Sequence, residues 1–482
     1  MSHYSENRSP EWEKKNGKWI YAWHHYTGEY ADEENIGDYL HRKEQAETLK
    51  AYDERLFTSD ISLHFGSLID SLCGVMFSKE SDAKRSFGIL GEYDENGELD
   101  KDSIAYKISH NSDGKGTNWV PMMKKTAITQ TVLHTVWGLV EGVEVDEDGN
   151  TISEACVKHI LPQHVVNQFP SNGNPTSVLV KEKRDNRNGI TTSLHDDEDT
   201  YTLYELDGWT RFRVATNQNG EQVEEVLGQG DYRYYADAEK RIPCLPIFRV
   251  DIPMPRMVGY LLARKNNYIF NYKSIRDFAV RNMAFAFLQV VADQSQYDQL
   301  LDDLDKGFRI LRKDPDAHGE HGYKSPDSSY LTEAGRIYEK DVEAFYKDGF
   351  KEYGRAAQRT ATEVHLESQS GIQAFLALLV SSVDEFENNA LWLINQVYYP
   401  ERPTEWAESY VMRSRNFQIE DIHEAFKKMV ESILTADRAG AISMYQKIKD
   451  IRPNWTDEQI DKEIERINRE NGLPDRDASD LI

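Results

Sequence analysis

Three long apolar stripes with helical spacing constrain this chain more than any other feature. In the strongest stripe, apolar residues recur at spacings of four and three, as on the buried face of a long helix: Ile372, Leu376, Leu379, Val383, Phe386, Ala390, Leu393 and Val397. Two further stripes have the same spacing: Ile269, Tyr272, Ile275, Ala279 and Met283, and then Tyr338, Val342, Phe345, Gly349, Tyr353 and Ala356. The chain must therefore pack several long helices, and the last two stripes flank a stretch of different character at 284–330.

The rest of the chain alternates between helix and strand patterns. Residues 39–78 and 119–142 have helical character, with Phe65, Leu68, Leu72 and Val75 on one face. Short β-rich runs separated by turn dipeptides fill 143–250 and predict antiparallel strands, and the two prolines of its last run suit a sheet edge. The stretch 284–330 predicts a small α/β insertion, and ESYVMRSRNF predicts a strand. The fold class is therefore α+β, mainly helical.

The first 38 residues mix aromatic and charged side chains without clear periodicity, which predicts an arm or irregular segment. Its aromatic residues have two possible uses, docking on a neighbouring molecule or packing on their own domain: Trp19, Tyr21, Trp23 and Tyr26.

Charge and cysteine content exclude several classes of protein. The formal net charge is −26, from 57 basic and 83 acidic residues, so tight wrapping of nucleic acid is not expected, although contact by near-repulsion stays open. The three cysteines are odd in number and widely spaced, which disfavours a disulfide framework or a zinc ribbon and fits a reducing compartment. A polar N-terminus and short apolar runs predict a soluble, intracellular chain without a membrane span.

Catalytic motifs are incomplete. Asp113-Gly114-Lys115-Gly116-Thr117 lacks the first glycine of a phosphate-binding loop, and the segments beginning at Glu92 and Glu144 lack the carboxylate that closes a calcium loop, so both predict hairpin turns. A dense metal-capable group at 316–321 (Asp316, His318, Glu320 and His321) has the composition of a solvated turn. We expect no enzyme activity, no cofactor and no metal; the alternative is a metal-dependent hydrolase that uses 316–321.

One basic run stands out in this acidic chain: Lys306, Arg309, Arg312 and Lys313. It is either an ordinary charged strand face or a contact with a partner or with DNA phosphates.

Three features together resemble the portal proteins of tailed double-stranded DNA bacteriophages. The first is Arg359-Thr360-Ala361-Thr362-Glu363-Val364, followed by Gly371 and a long helix. The second is the order of parts, in which helices and a β region precede two long helices around a small insertion. The third is the C-terminal text from Ile451-Arg452-Pro453 to Glu470. The resemblance covers about residues 40–472.

The resemblance implies a division of the chain into an arm at 1–38, a wing at 39–256, a first stem helix at 257–283, a clip at 284–330, a second stem helix at 331–358, a tunnel loop at 359–371, a wing helix and strand at 372–420 and a helical crown at 421–482. A tunnel loop also suits the sequence itself, because apolar periodicity lapses after Ala357 and restarts at Ile372, with Ser370 as a possible N-cap.

The resemblance also implies a function and partners. Portal subunits form a dodecameric ring at one capsid vertex, through which DNA is packaged and ejected. The large terminase subunit and then head–tail connector or adaptor proteins dock on the clip, and major capsid and scaffolding proteins surround the ring. The location would be the virion, and the host cytoplasm during assembly, with no membrane partner. A different head-assembly adaptor, without paired stem helices, is the remaining alternative.

Two sets of residues follow from the implied architecture. The DNA channel at the tunnel loop would involve Arg355, Arg359, Thr360, Thr362, Glu363 and Gln369. Docking of partners on the clip would involve Lys306, Arg309, Arg312 and Lys313.

Overall fold

The computed structural model describes residues 8–43, 47–78, 83–93, 99–145, 151–170, 175–182, 200–216, 222–232, 242, 244–283, 287–291, 310–313, 322–324, 328–360, 371–403 and 405–413. The chain divides into two compact units, 1–415 and 416–482, and all described residues belong to the first. Helices hold the larger share of these residues and the strands form mostly antiparallel pairs, so the α+β, mainly helical class is confirmed. The crown predicted at 421–482 lies outside the described residues.

The N-terminal segment is a helix, and the expectation of an irregular arm was wrong for its described part. Helix α1 spans Pro10–Thr27, with the Ser9 hydroxyl accepting from the Trp12 N–H as its N-cap. Its buried residues are Trp19, Ala22 and His25. Because a histidine and a tryptophan take the place of an aliphatic stripe, hydrophobic periodicity did not reveal this helix. The Trp19 indole donates to the Leu133 carbonyl at 3.2 Å, so this aromatic residue packs on its own domain.

The shorter helices that follow in the described part of the chain are α2 (Ile36–Tyr39), α3 (Leu49–Thr58), α4 (His64–Phe77), α5 (Ile104–His110) and α6 (Trp119–Leu133). The predicted face of α4 is buried at Phe65, Leu68 and Leu72, whereas Val75 is partly exposed. Helix α6 ends at Leu133, and the expectation of helix up to 142 was wrong. Strand β2 (Thr135–Glu141) is buried along nearly its whole length, and periodicity alone does not separate such a continuous apolar run from a helix.

The strands within the described residues form five sheets. Strand β1 (Lys84–Phe87) pairs with β15 (Ser409–Met412), and β3 (Glu144–Val145) pairs with β4 (Thr151–Ser153) as the predicted hairpin. The order β11 (Ile247–Asp251), β2, β5 (Cys156–Ile160) gives β11 the predicted edge position. The largest sheet has the order β10 (Gln222–Gly230), β9 (Gly208–Thr216), β8 (Thr200–Glu205), β7 (Ser177–Glu182), β6 (Val165–Phe169), antiparallel throughout.

Three long helices carry the apolar stripes. They are α7 (Val258–Met283), α8 (Ser328–Thr360) and α9 (Gly371–Tyr398). Strands β12 (Phe287–Val291), β13 (Ile310–Lys313) and β14 (Gly322–Lys324) lie between α7 and α8 in the chain and form their own sheet. Helix α9 is the centre of the core: Phe375, Leu376, Leu379, Val383, Phe386 and Leu391 are fully buried. Among the described residues, no helix has both the length and the apolar content to cross a lipid bilayer.

Candidate functional site: the paired helices α7 and α8

Helices α7 and α8 pack side by side in antiparallel directions. Lys265 pairs with Asp348 at 3.1 Å, whereas Arg276, farther along α7, stacks on Tyr338, with its guanidinium 4.4 Å from the ring centroid. Partner numbers on α8 therefore fall as numbers on α7 rise. The C-terminal end of α7 and the N-terminal end of α8 consequently lie at the same end of the pair.

The three-stranded sheet is connected at that end. Strand β12 is central, parallel to β13 and antiparallel to β14. A parallel pair requires a crossover connection, and 292–309 supplies the chain length for one. The predicted small insertion between two long helices is therefore present as a sheet, although only its strands lie within the described residues.

The opposite end of α7 begins at a buried histidine. His134 has a positive φ of 64° at the end of α6, and its Nε2 accepts from the Val258 N–H at 3.2 Å. The first N–H groups of a helix have no partner within the helix, so this imidazole acts as a cap. Gly259 follows, and an added Cβ there would lie 2.0 Å from the Val132 carbonyl oxygen. Helix α7 can begin at this place only because residue 259 has no side chain.

Two turns farther along, Asn266 joins α7 to two other helices. Its Oδ1 accepts from the Phe65 N–H at 3.3 Å, and its Nδ2 lies 3.1 Å from His25 Nδ1. The first contact fixes the orientation of the amide, so Nδ2 donates to His25 Nδ1 and the imidazole proton lies on Nε2. Asn266 and His25 are both fully buried, and Tyr30 stacks on the imidazole with centroids 4.2 Å apart.

Helix α8 is fixed to the same body by its C-terminal half. The buried Tyr353 hydroxyl donates to the Thr131 carbonyl at 2.8 Å, and its ring lies 4.5 Å from that of Phe375. At Gly349 an added Cβ would come within 2.4 Å of Leu68, so α8 passes close to α4 there. His64 lies between two α8 hydroxyls, 3.2 Å from that of Tyr338 and 3.3 Å from that of Tyr346.

Burial keeps the imidazoles at this junction neutral. It lowers the pKa of His25 to about 3, with a smaller contribution from His24, and the pKa of His134 to about 3, with a smaller contribution from Lys15. Burial also lowers the pKa of His64, and the charge of Lys273 makes a smaller contribution in the same direction. The junction of the helix pair with the body thus depends on uncharged histidines.

A buried ionic cluster holds β1 and β15 against α9. Glu387 accepts from Arg85 Nε and Trp119 Nε1, both at 2.6 Å, and from Arg413 at 2.6 Å, while Asp384 accepts from Arg413 at 2.7 Å. Burial opposes ionisation of Glu387, yet the charges of Arg413 and Arg85 lower its pKa below the ordinary value. Burial raises the pKa of Asp384.

The residues predicted for the DNA channel fall at the end of α8. Arg355, Arg359 and Thr360 belong to its last turns, so the helix continues past the predicted boundary at 358. Apolar periodicity ended earlier than the backbone helix because the last turns are polar. The side chains of Arg355 and Arg359 lie outside what the structure describes, as do residues 361–370, which include Thr362, Glu363 and Gln369.

The residues predicted for docking fall on or near β13. Arg312 and Lys313 lie in this strand, opposite Val290 and Val291 of β12. Lys306 and Arg309 lie outside the described residues, as does the group at 316–321. Within the part of the chain that the structure describes, no group of three or more His, Cys, Asp or Glu side chains is placed to hold a metal ion.

The glycine-containing loop at 113–117 binds its own carboxylate. Asp113 Oδ1 accepts from the backbone N–H groups of Lys115 at 2.9 Å and Thr117 at 3.1 Å, and Asp113 Oδ2 accepts from the Thr117 hydroxyl at 2.6 Å. A phosphate-binding loop needs such backbone donors for its ligand. Here Asp113 uses them, which gives the loop a local structural role.

Sequence reasoning missed the polar anchors of the pair. Asn266 lies four residues after Leu262 and three before Ile269, both buried, so its place within an apolar stripe was a usable signal. No comparable signal marks His25 or His134, because their partners lie far away in the chain.

No protein-family profile matches the chain, and a search of curated proteins found no match.

Proposed function

We propose that this chain is the subunit of a portal ring, a non-enzymatic conduit for double-stranded DNA at a capsid vertex of a tailed bacteriophage. One observation carries the proposal: an antiparallel pair of long helices, fixed at one end in a helical and β-rich body, has a small sheet inserted between them at the other end. The order of these parts fits wing, stem, clip and stem.

The exposed surface of the pair supports a role in an assembly. Tyr268 is 63% exposed, and Val280 and Ile337 are also partly exposed, while charged side chains fill much of the remaining surface of α8. In a monomer these apolar side chains would stay exposed to water, whereas neighbouring copies around an axis would cover them.

The net charge of −26 suits a conduit better than a DNA-binding protein. A wall rich in carboxylates repels phosphates, so DNA does not adhere through counterion release and can slide. In this proposal, Arg355, Arg359 and the segment 361–370 narrow the channel, and the β13 region with Arg309 and Arg312 meets terminase and later the connector or adaptor proteins. The motor that consumes ATP would be a separate chain.

The segment between α8 and α9 provides the test. Native mass spectrometry of the 55.7 kDa chain should give one closed assembly of many copies. Deleting about six residues within 361–370 should leave the number of subunits in that assembly unchanged. In a packaging reaction, the deletion should reduce the amount of DNA retained, because the narrow part of the channel is lost. Only monomers at micromolar concentration, or unchanged retention by an intact ring, would contradict the proposal.

A further inference from the structure

The outer face of α3 is unusually apolar for an exposed helix surface. Leu49 is 63% exposed and Phe57 is 90% exposed, and Asp53 lies between them at four-residue spacing, so the three residues share one face, which we call the α3 face. The opposite side of α3 is firmly held, because the buried Arg55 pairs with Glu47 at 2.6 Å. The phenylalanine is therefore displayed on an ordered helix.

A second apolar surface lies on β15 and α9. Strand residues alternate in burial, so that Ser409 and Val411 point inward while Tyr410 (44%) and Met412 (58%) are exposed. Trp392 of α9 is also exposed and lies edge-on to Trp406, just before the strand, with ring centroids 6.0 Å apart. We call Trp392, Tyr410 and Met412 the β15 face.

Addition of a strand at the free edge of β15 is blocked. The Asn388 side chain accepts from the Val411 N–H at 2.8 Å and donates to the Val411 carbonyl at 3.2 Å. The backbone groups of Val411 at this edge are thus already satisfied, so a partner would meet the exposed side chains of the β15 face.

The two faces lie on elements that are connected only through other helices. Helix α3 packs on α7, α7 on α8, α8 on α9, and α9 on β15. The faces also carry different charges: Asp53 lies within the α3 face, and the exposed Lys84 lies directly opposite Met412 in the β1–β15 pair, on the same side of the sheet. Two different surfaces with opposite charges suit head-to-tail association, which gives a ring when the rotation from one copy to the next closes.

We infer that the α3 face of one copy docks on the β15 face of the next copy. This inference rests on the proposed ring and names the two surfaces that meet in it. Phe57 supplies the apolar anchor, which packs among Trp392, Tyr410 and Met412, and Asp53 pairs with Lys84.

A pair of cysteine variants tests the contact. Phe57→Cys and Met412→Cys proteins, mixed under mild oxidation, should form a disulfide-linked dimer of chains, whereas each variant alone should not. Of the native cysteines, Cys73 and Cys156 are buried and Cys244 is half-buried, and wild-type protein treated in parallel measures their contribution. Lys14→Cys, at an exposed position on α1, replaces Phe57→Cys in the matched control and should give no linked product with Met412→Cys.

A charge exchange provides the second measurement. Asp53→Lys and Lys84→Asp should each weaken assembly about tenfold or more, because like charges then oppose each other, and the double variant should recover assembly. Assembled rings without the mixed disulfide would overturn this interface and leave the portal proposal standing. The mixed disulfide in dimers or open chains would support the interface and count against a ring. Linkage of Phe57→Cys to itself, or monomers alone, would also overturn the interface.

Discussion

The two halves of the α7/α8 pair are built differently. At the body, α7 is held through buried polar contacts, in which His134 caps its first turn and Asn266 bridges His25 and Phe65. In the outer half, Ser274 accepts from the buried Arg55 at 3.3 Å, but other contacts are more exposed, such as Arg276 on Tyr338 and the Glu333–Arg336 pair. Buried polar contacts are costly to break, whereas exposed ion pairs contribute little. The difference predicts that the base is the more stable part of the pair.

Low pH should give the largest difference between the two halves, because the buried histidines His25 and His134 lie at the base. His25 and His134 have folded-state pKa values of about 3, below the ordinary value near 6.5. The unfolded chain therefore binds more protons, so stability is fully present above pH 6.5 and falls as pH decreases towards 3. Each imidazole should lower the free energy of unfolding by about 1.4 kcal/mol per pH unit in this window.

Denaturant titrations of wild type and His25→Leu between pH 7.5 and 5 measure this effect. Whatever stability the substitution removes at neutral pH, it should reduce the pH dependence by the share of one imidazole. An unchanged slope would contradict the prediction, because it would mean that His25 binds protons equally well in the folded and the unfolded chain.

Substitution by alanine should change stability in opposite directions at two glycines. Gly259→Ala should lower the free energy of unfolding by about 3 kcal/mol or more, because its Cβ would clash with the Val132 carbonyl. A backbone carbonyl cannot move aside by rotation of a side chain. Gly335→Ala, in the outer half of α8 with nothing within 4 Å, should stabilise by about 1 kcal/mol through helix propensity. Thermal unfolding of both variants checks the prediction, and equal changes would contradict the distinction between base and outer half.

Neighbouring residues on α7 provide a finer comparison. Asn266→Ala should cost about 2 kcal/mol, because it leaves the buried Phe65 N–H and His25 without their partner. Lys265→Ala removes only the exposed pair with Asp348 and should change stability by less than about 1 kcal/mol. If chemical denaturation gives a larger effect for Lys265→Ala, exposed ion pairs contribute more to stability than buried polar contacts do here.

Sequence periodicity predicted the long helices well because their buried faces are mostly apolar. The stripe in α9 became the core helix, and α7 lies at Val258–Met283, close to the expected 257–283. The strand at 409–412 was also predicted. These elements share a pattern that depends on local residues alone.

The failures share a cause, since each involves partners distant in the chain. Helix α1 was missed because its buried side includes His25, whose partner Asn266 lies in α7. The end of α6 at His134 depends on Val258, and the run after it became a strand only through pairing with β5 and β11. The anchors of the candidate site could not be predicted, because no local pattern encodes a contact between residues 134 and 258.

The portal account is tested most directly by cryo-electron microscopy of the purified full-length protein. The account predicts closed rings with a central opening, in which the α7/α8 pairs surround the channel and the β12–β14 sheets lie together at one end of the axis. Particles without an opening, or rings that place the helix pairs on the outer rim away from the channel, would contradict it.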